Sequence, residues 1–218
     1  MSKEKWNRRY TERDTASPGE PNPTFVEEIG GLPPGRALDL AAGDGRHTLY
    51  LASRGWNVTA VDFSHVAVRR GRRFAAEAGL TEVEWIETDV TRFTPEVQSY
   101  DLVALLFLHL PWEEMQAVIL AAAGAVAPNG VFFLLGHDRR NIGRGTGGPQ
   151  DPEVLYTSDD VVALFSDEFW PGDTGTDGPW TIERAVAIER QPEHPGEVQS
   201  GPLSIDCLVR ARRTLPAR

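Results

Sequence analysis

Cysteine is almost missing from this chain. Cys207 is the only one in 218 residues, which excludes an internal disulfide and any multi-cysteine metal site. Long apolar runs are missing as well. No stretch approaches the ~20 residues of a membrane-spanning helix, and the N-terminus, Met1-Ser-Lys-Glu-Lys-Trp6, lacks a signal-peptide core. A cytoplasmic protein with no membrane partner is expected. Basic residues are scarce relative to acidic ones, 22 against 32, and the net charge of -10 opposes an extended nucleic-acid surface. The densest basic run, Arg69-Arg70 with Arg72-Arg73, alternates with Val66, Val68 and Phe74, the pattern of a solvated helix face. No nucleic-acid partner is expected. His47 has no companion at metal-ligand spacing, and no metal is expected.

Internal repeats and a domain linker are also lacking, so residues 1–218 read as one domain, long enough to bury roughly 70% of its unfolded surface. Apolar runs alternate between strand and helix patterns throughout. Short helices are expected at residues 3–10 and 22–30, forming an N-terminal cap over residues 1–35, with Gly31-Leu-Pro-Pro-Gly35 turning into the first strand, Arg36 to Ala41. A helix from Arg46 to Arg54 follows, then a second strand, a helix capped by Ser64 and a short strand from Val83 to Glu87. Tyr100 to Phe107 is nearly all apolar, as a central parallel strand must be. Pro111 begins the next helix, and Pro128-Asn-Gly130 turns into a strand from Val131 to Gly136. Residues 137–157 form a glycine-rich loop suited to a lid. Ser158 caps a last helix, and Thr181 to Glu189 and Leu203 to Arg212 are the final strands. Alternation places Leu203, Ile205, Cys207 and Val209 on one face, making Cys207 a buried structural residue. The expected fold class is α/β, one open sheet with helices on both faces.

The densest signal lies between Ala37 and Ser64. Asp39 stands near the tip of the first strand, a turn carries Gly43, Asp44 and Gly45, a helix opens at Arg46, and a second strand ends in Asp62. Glycines at such a turn let backbone approach a ligand at a helix N-terminus, and an acid closing the second strand lies where a ribose would sit. In a dinucleotide site Asp39 would repel the pyrophosphate. The third glycine of that fingerprint is also absent, because Gly43-Asp44-Gly45-Arg46-His47 is followed by Thr48. S-adenosylmethionine instead offers an ammonium to Asp39, and its carboxylate suits the helix N–H groups. The pattern therefore reads as a methyl-donor pocket.

At these residues the chain resembles the class I S-adenosylmethionine-dependent methyltransferases, and within them the small tellurite-resistance and thiopurine methyltransferase-like proteins. The resemblance rests on Asp39-Leu-Ala-Ala-Gly-Asp-Gly-Arg46, Leu51-Ala, Val58-Thr-Ala-Val-Asp-Phe-Ser64, Thr88-Asp89, Tyr100-Asp-Leu-Val103 and Pro128-Asn-Gly130. It departs from the family at Ala41, where a first glycine is usual. It implies a Rossmann-like seven-stranded sheet, mostly parallel with an antiparallel last strand. It also implies a cofactor site built from Asp39, Ala41, Gly43, Asp44, Gly45 and Arg46, with Asp62 on the ribose hydroxyls beside Phe63 and Ser64. Asp89 and Val90 would meet the adenine, and Leu106 and Phe107 would lie near the sulfonium. Each has a plainer reading: Asp62 or Ser64 as a helix cap, Asp89 as an Asx turn, Phe63 as core, Arg46 as an exposed helix start.

Methyl transfer is an in-line displacement in which alignment does most of the work, and a base is needed only for an acceptor that is not already ionised. His109 and His137, after the fourth and fifth strands, are the candidate bases. Cytosine-carbon methylation is excluded because the only cysteine lies on the last strand, and amino methylation of DNA because Phe107-Leu-His-Leu-Pro111 lacks the Asn/Asp-Pro-Pro-aromatic run. A small-molecule acceptor is left. Trp6 and Tyr10 on the first helix, His109, and Arg139 and Arg140 in the lid loop are the candidate acceptor contacts, the arginines suiting an anion such as an oxyanion or aromatic acid. Two other readings stay open: a non-catalytic S-adenosylmethionine-binding protein, and a nicotinamide-dependent oxidoreductase, which would lack an evident Tyr-x-x-x-Lys pair. Monomer and homodimer are both compatible with the sequence.

Overall fold

The computed structural model describes residues 2–13, 15–166, 168–170, 179–191 and 203–214. Strands β1 (Arg36–Leu40), β2 (Asn57–Asp62), β3 (Glu84–Glu87), β4 (Tyr100–Leu106), β5 (Val126–His137), β6 (Trp180–Arg190) and β7 (Ser204–Arg213) form one sheet in the order β3-β2-β1-β4-β5-β7-β6. The first five run parallel, and β7 inserts antiparallel between β5 and β6. The order reverses between β1 and β4, so a crevice opens there beyond the carboxyl ends of the strands. Helices α1 (Lys3–Glu12), α2 (Pro23–Ile29), α3 (Arg46–Ser53), α4 (His65–Glu77), α5 (Trp112–Ala125) and α6 (Ser158–Ala163) complete the fold.

Two apolar layers sandwich the sheet. One gathers Leu38, Leu105, Ile119, Phe132 and Val209 with α5, and the other gathers Phe25, Leu51, Val58, Phe133 and Leu208 with α2 and α3. Cys207 is fully buried in the first layer, and burial pushes its thiol pKa up, so it is an inert packing residue as expected. Leu208 is buried on the opposite face, because β7 is covered on both sides.

Several expected boundaries shift for local reasons. β1 ends at Leu40 because Ala41 turns to φ 59, a left-handed conformation that no strand accepts. Pro111 stands outside α5 as its cap, with Glu113 and Glu114 in the first turn. Pro128-Asn129-Gly130 lies within β5 as an irregularity: Tyr100 pairs with Val126 and Leu102 with Val131. Thr157, not Ser158, caps α6, because its hydroxyl accepts the Asp160 N–H while Asp160 reaches back in a capping box. Arg70 and Arg72 are not simply solvated: Arg70 bonds Asp44 and the backbone of Arg13, and Arg72 bonds the Trp85 carbonyl.

Candidate functional site

Gly45, at φ 95, caps α3 and turns the chain so that the helix N-terminus faces the crevice. The turn is braced from behind by Trp85 of β3, which stands where a Cβ on Gly45 would come within 2.5 Å. Asp39, at the tip of β1, is 1% exposed and accepts the Thr48 hydroxyl at 2.6 Å. Burial lifts its carboxyl pKa to about 7. Asp62 closes β2 with one oxygen on the Gly43 N–H (2.9 Å) and the other on the Ser64 N–H (2.8 Å), and burial raises its pKa against those bonds. Ser64 caps α4 by accepting the Ala67 N–H. Asp62 thus ties the glycine turn to the start of α4, and each carboxylate oxygen keeps a further acceptor position for a ligand.

Helix α1 crosses this site. Lys3 pairs with Glu87 at the end of β3, Asn7 accepts the Ser64 hydroxyl at 2.7 Å, and the Tyr10 hydroxyl stands over the turn, 2.4 Å from where a Cβ on Gly43 would be. Arg13 and Arg70 both pair with Asp44. Tyr10 is stacked with Trp6 at 5.8 Å, and burial beside Asp62 and Asp44 raises its pKa, so its hydroxyl remains a neutral donor. A cavity of about 370 Å³ lies under the start of α1, lined by Lys3, Phe63, Thr88, Asp89 and Arg92. Phe63 and Asp89 therefore share one recess. Asp89 also makes the Asx turn, accepting from the backbone and hydroxyl of Thr91, and Val90 packs against the core.

On the other side of the crevice, Leu106 is buried, and Phe107 leaves β4 at φ 56, with its N–H on the Leu135 carbonyl at 2.7 Å. Its ring takes the guanidinium of Arg46 at 5.6 Å and that of Arg190 at 5.2 Å. Arg46, the first residue of α3, thus joins the two sides. The His137 ring lies between Phe107 and His109, 5.3 Å from each. His109 Nε2 accepts the His137 backbone N–H at 3.0 Å, and burial beside His137 drives the His109 pKa down to about 3. His137 Nδ1 lies 3.0 Å from Asp206, whose other oxygen takes Arg190.

The expected lid arginines are engaged locally. Arg140 is held by both oxygens of Asp138, and Arg139 pairs with Asp160 and bonds the Leu155 carbonyl. The loop itself is pinned by buried Asn141, which accepts the Ile205 N–H and donates to the Gly147 carbonyl. Asp206, Arg190 and Asn141 escape a sequence reading. The available signal was an acid in the middle of the apolar run Ile205-Asp-Cys-Leu-Val209, which nothing local explains. No group of three His, Cys, Asp or Glu suited to a metal occurs among the described residues, and no helix there is long and apolar enough to cross a membrane.

A family profile described as a methyltransferase domain matches residues 37–130, the stretch that builds β1 through the bulge of β5. The chain is similar to the class I S-adenosylmethionine-dependent methyltransferases, and residues 37–130 match their domain. Its relatives include the 2-heptyl-1-hydroxyquinolin-4(1H)-one methyltransferase of Mycobacteroides abscessus, 28% identical over 155 residues, 66% of this chain and 68% of that protein. Solved structures with the same fold include one described for the conversion of a disulfide bond into a thioacetal group during echinomycin biosynthesis. That structure has a TM-score of 0.70 at 23% identity, over 100% of this chain and 93% of the other. TehB from Haemophilus influenzae matches with a TM-score of 0.68 at 14% identity, over 97% of this chain and 67% of its own. The Rossmann-like sheet expected from the resemblance is the one observed, with both β6 and β7 antiparallel to their neighbours. The nicotinamide reading gives way to the methyltransferase domain.

Proposed function

We propose that this methyltransferase domain moves the methyl group of S-adenosylmethionine to an ionisable hydroxyl on a small, planar aromatic acceptor, with the acceptor seated on Phe107 at the carboxyl ends of β4 and β5. The observation that carries this reading is the Phe107 ring with two guanidiniums within 5.6 Å of its centroid and the imidazole of His137 at its side. An aromatic surface with positive charge around it favours a flat acceptor that becomes anionic as it reacts. A hydroxylated quinolone, the compound named for the Mycobacteroides relative, has that character.

The chain's residues fit the cofactor. Asp39 is a buried carboxylate whose hydrogen-bond partner is the Thr48 hydroxyl, which suits an ammonium. The α3 N-terminus and the Tyr10 hydroxyl would receive the methionine carboxylate, Asp62 the ribose hydroxyls, and the Phe63 and Asp89 recess the adenine. When bound, the sulfonium supplies an electrophilic methyl carbon. The protein aligns the acceptor oxygen with it, screens both from water with α1 and the 139–148 loop, and provides a base for the hydroxyl. The same reading takes residues 1–218 as one domain, monomeric or homodimeric, working on a small molecule rather than on nucleic acid.

Calorimetric titration with S-adenosylmethionine, S-adenosylhomocysteine and NADH, followed by methyl-transfer assays on hydroxyquinolones, catechols, thiols and chalcogen oxyanions, tests the reading. Micromolar binding of the first two ligands and methylation of the hydroxylated aromatics is the expected result. Methylation confined to thiols or oxyanions overturns the acceptor class, and cofactor binding with no transfer to any acceptor makes the chain a non-catalytic binder.

A further inference from the structure

We infer that His137 is the base of the acceptor site and that Asp206, held by Arg190, is its positioning carboxylate, with His109 serving only as a fixed strut. The inference rests on the methyltransferase reading above and on four residues from four separate segments.

The register of the sheet creates the pair. His137, the last residue of β5, lies directly opposite Asp206 of β7, so their side chains rise from the same face. Asp206 is fully buried, and His137 Nδ1 and Asp206 Oδ1 stand 3.0 Å apart with no other hydrogen-bond partner for either atom among the described residues. Two buried lone pairs at that distance would repel each other. A proton on Nδ1 converts the contact into donor and acceptor and satisfies both atoms, which places the lone pair of the neutral imidazole on Nε2. The other oxygen of Asp206 takes Nε of Arg190 from β6, so the carboxylate is anchored on its far side.

His109 has the reverse arrangement. Its Nε2 lone pair is occupied by the His137 backbone N–H, and its ring is stacked between His137 and Tyr156. It fixes the backbone and ring of its neighbour and has no lone pair to offer. The groups facing His137 are therefore Asp206 from β7, Arg190 from β6, and His109 and Phe107 from the segment after β4, with Arg46 of α3 behind Phe107. The neighbouring Asp138 carboxylate is taken by Arg140. Gly148 closes over the remaining edge: a Cβ there would stand 2.7 Å from His137 Nε2, so the 143–148 loop must withdraw for an acceptor to reach that nitrogen.

In the reaction, the acceptor hydroxyl gives its proton to His137 Nε2 as the oxygen forms its bond to the methyl carbon. The carbon–sulfur bond breaks with its electron pair on sulfur, which neutralises the sulfonium. The imidazolium so formed faces the anion of Asp206, and its proton leaves to solvent after product release.

Long-range proton–nitrogen spectra of the full chain test the pair without any turnover. In the wild type the neutral His137 ring should carry its proton on Nδ1. Asp206→Ala removes the acceptor and should release the Nδ1 preference, whereas Asp206→Asn, which keeps an acceptor oxygen, should retain it. With 2-heptyl-1-hydroxyquinolin-4(1H)-one as probe, Asp206→Asn should lower kcat at least tenfold, because the anion that faces the imidazolium is lost, and leave the KM for S-adenosylmethionine within twofold. A proton on Nε2 in the wild type, or an unchanged tautomer in Asp206→Ala, overturns the assignment. Methylation by Asp206→Asn at unchanged rate overturns the positioning role and leaves the methyltransferase reading intact. Bound cofactor without methylation of any acceptor defeats that reading instead, and the tautomer spectra still decide the pair. Should Asp206→Ala fail to fold, the wild-type and Asp206→Asn spectra supply the test.

Discussion

Residues 36–64 carry β1, the glycine turn, α3, β2 and Asp62 in one uninterrupted stretch, whereas the proposed acceptor side of the crevice draws Phe107, His137, Arg190 and Asp206 from four strands or their ends. The first side is assembled by local rules: a positive φ at Gly45, a capping hydroxyl at Ser64, and an acid where a parallel strand stops. The second exists only after β7 has slid between β5 and β6 in the correct register, since a shift of one residue would turn Asp206 to the opposite face. Local construction makes the first side recognisable from the sequence, and long-range construction hides the second.

The difference can be broken most severely at Asp62. Asp62→Ala removes the proposed ribose contact and leaves the buried Gly43 and Ser64 N–H groups without acceptors. Calorimetry should show S-adenosylmethionine binding weakened by at least ~1.5 kcal/mol, more than tenfold, and thermal unfolding should record a stability loss of about 1–3 kcal/mol. If cofactor affinity survives, the ribose role is refuted.

Asn141→Ala tests the acceptor side in the same manner. It frees the Ile205 N–H and the Gly147 carbonyl, at a cost of about 2 kcal/mol in stability, and releases the loop that lies on His137. Turnover should fall severalfold while cofactor affinity stays within twofold. Equal loss of both would show that the two sides are not independent.

A milder test is pH. Because burial lifts the Asp39 pKa to about 7, S-adenosylmethionine binding should weaken by about tenfold, ~1.4 kcal/mol, between pH 8 and pH 6 as the carboxylate proposed to meet the ammonium is protonated. The sign for folding is the opposite. A carboxyl whose pKa is raised from 3.8 favours the ligand-free fold fully below about 3.8, and that contribution is lost as pH rises through about 7. Asp39→Asn should flatten both dependences, and a pH-independent affinity in the wild type would remove Asp39 from ammonium recognition.

The smallest effect is expected at Ala41, which holds φ 59 where related turns carry glycine. The strain of roughly 1–2 kcal/mol in a left-handed alanine is partly offset by the extra freedom of glycine in the unfolded chain. Ala41→Gly should therefore stabilise the protein by less than about 1 kcal/mol, seen as a small rise in Tm with turnover unchanged. A fall in Tm would mean that the alanine methyl is itself packed usefully at the turn.

The reading from sequence succeeded where the determinants are close together in the chain. Cys207 was expected in the core because its strand is apolar, and it is buried. The Ala41 departure was visible, but its meaning, a residue in a glycine conformation, required φ. Arg139 and Arg140 looked available because nothing in the sequence shows that Asp138 lies bidentate on one and Asp160 beside the other. His109 and His137 looked equivalent because both follow a strand. Only their neighbours separate them.

The sequence by itself determined the α/β alternation, the glycine turn with its two flanking acids and the methyltransferase domain, because apolar periodicity, turn chemistry and strand-end acids act over a few residues. The tertiary structure decided that α1 lies across the glycine turn, that β7 brings Asp206 to His137, and that His109 has its Nε2 lone pair engaged by backbone. These depend on packing and strand register between segments up to about seventy residues apart, which no local pattern encodes.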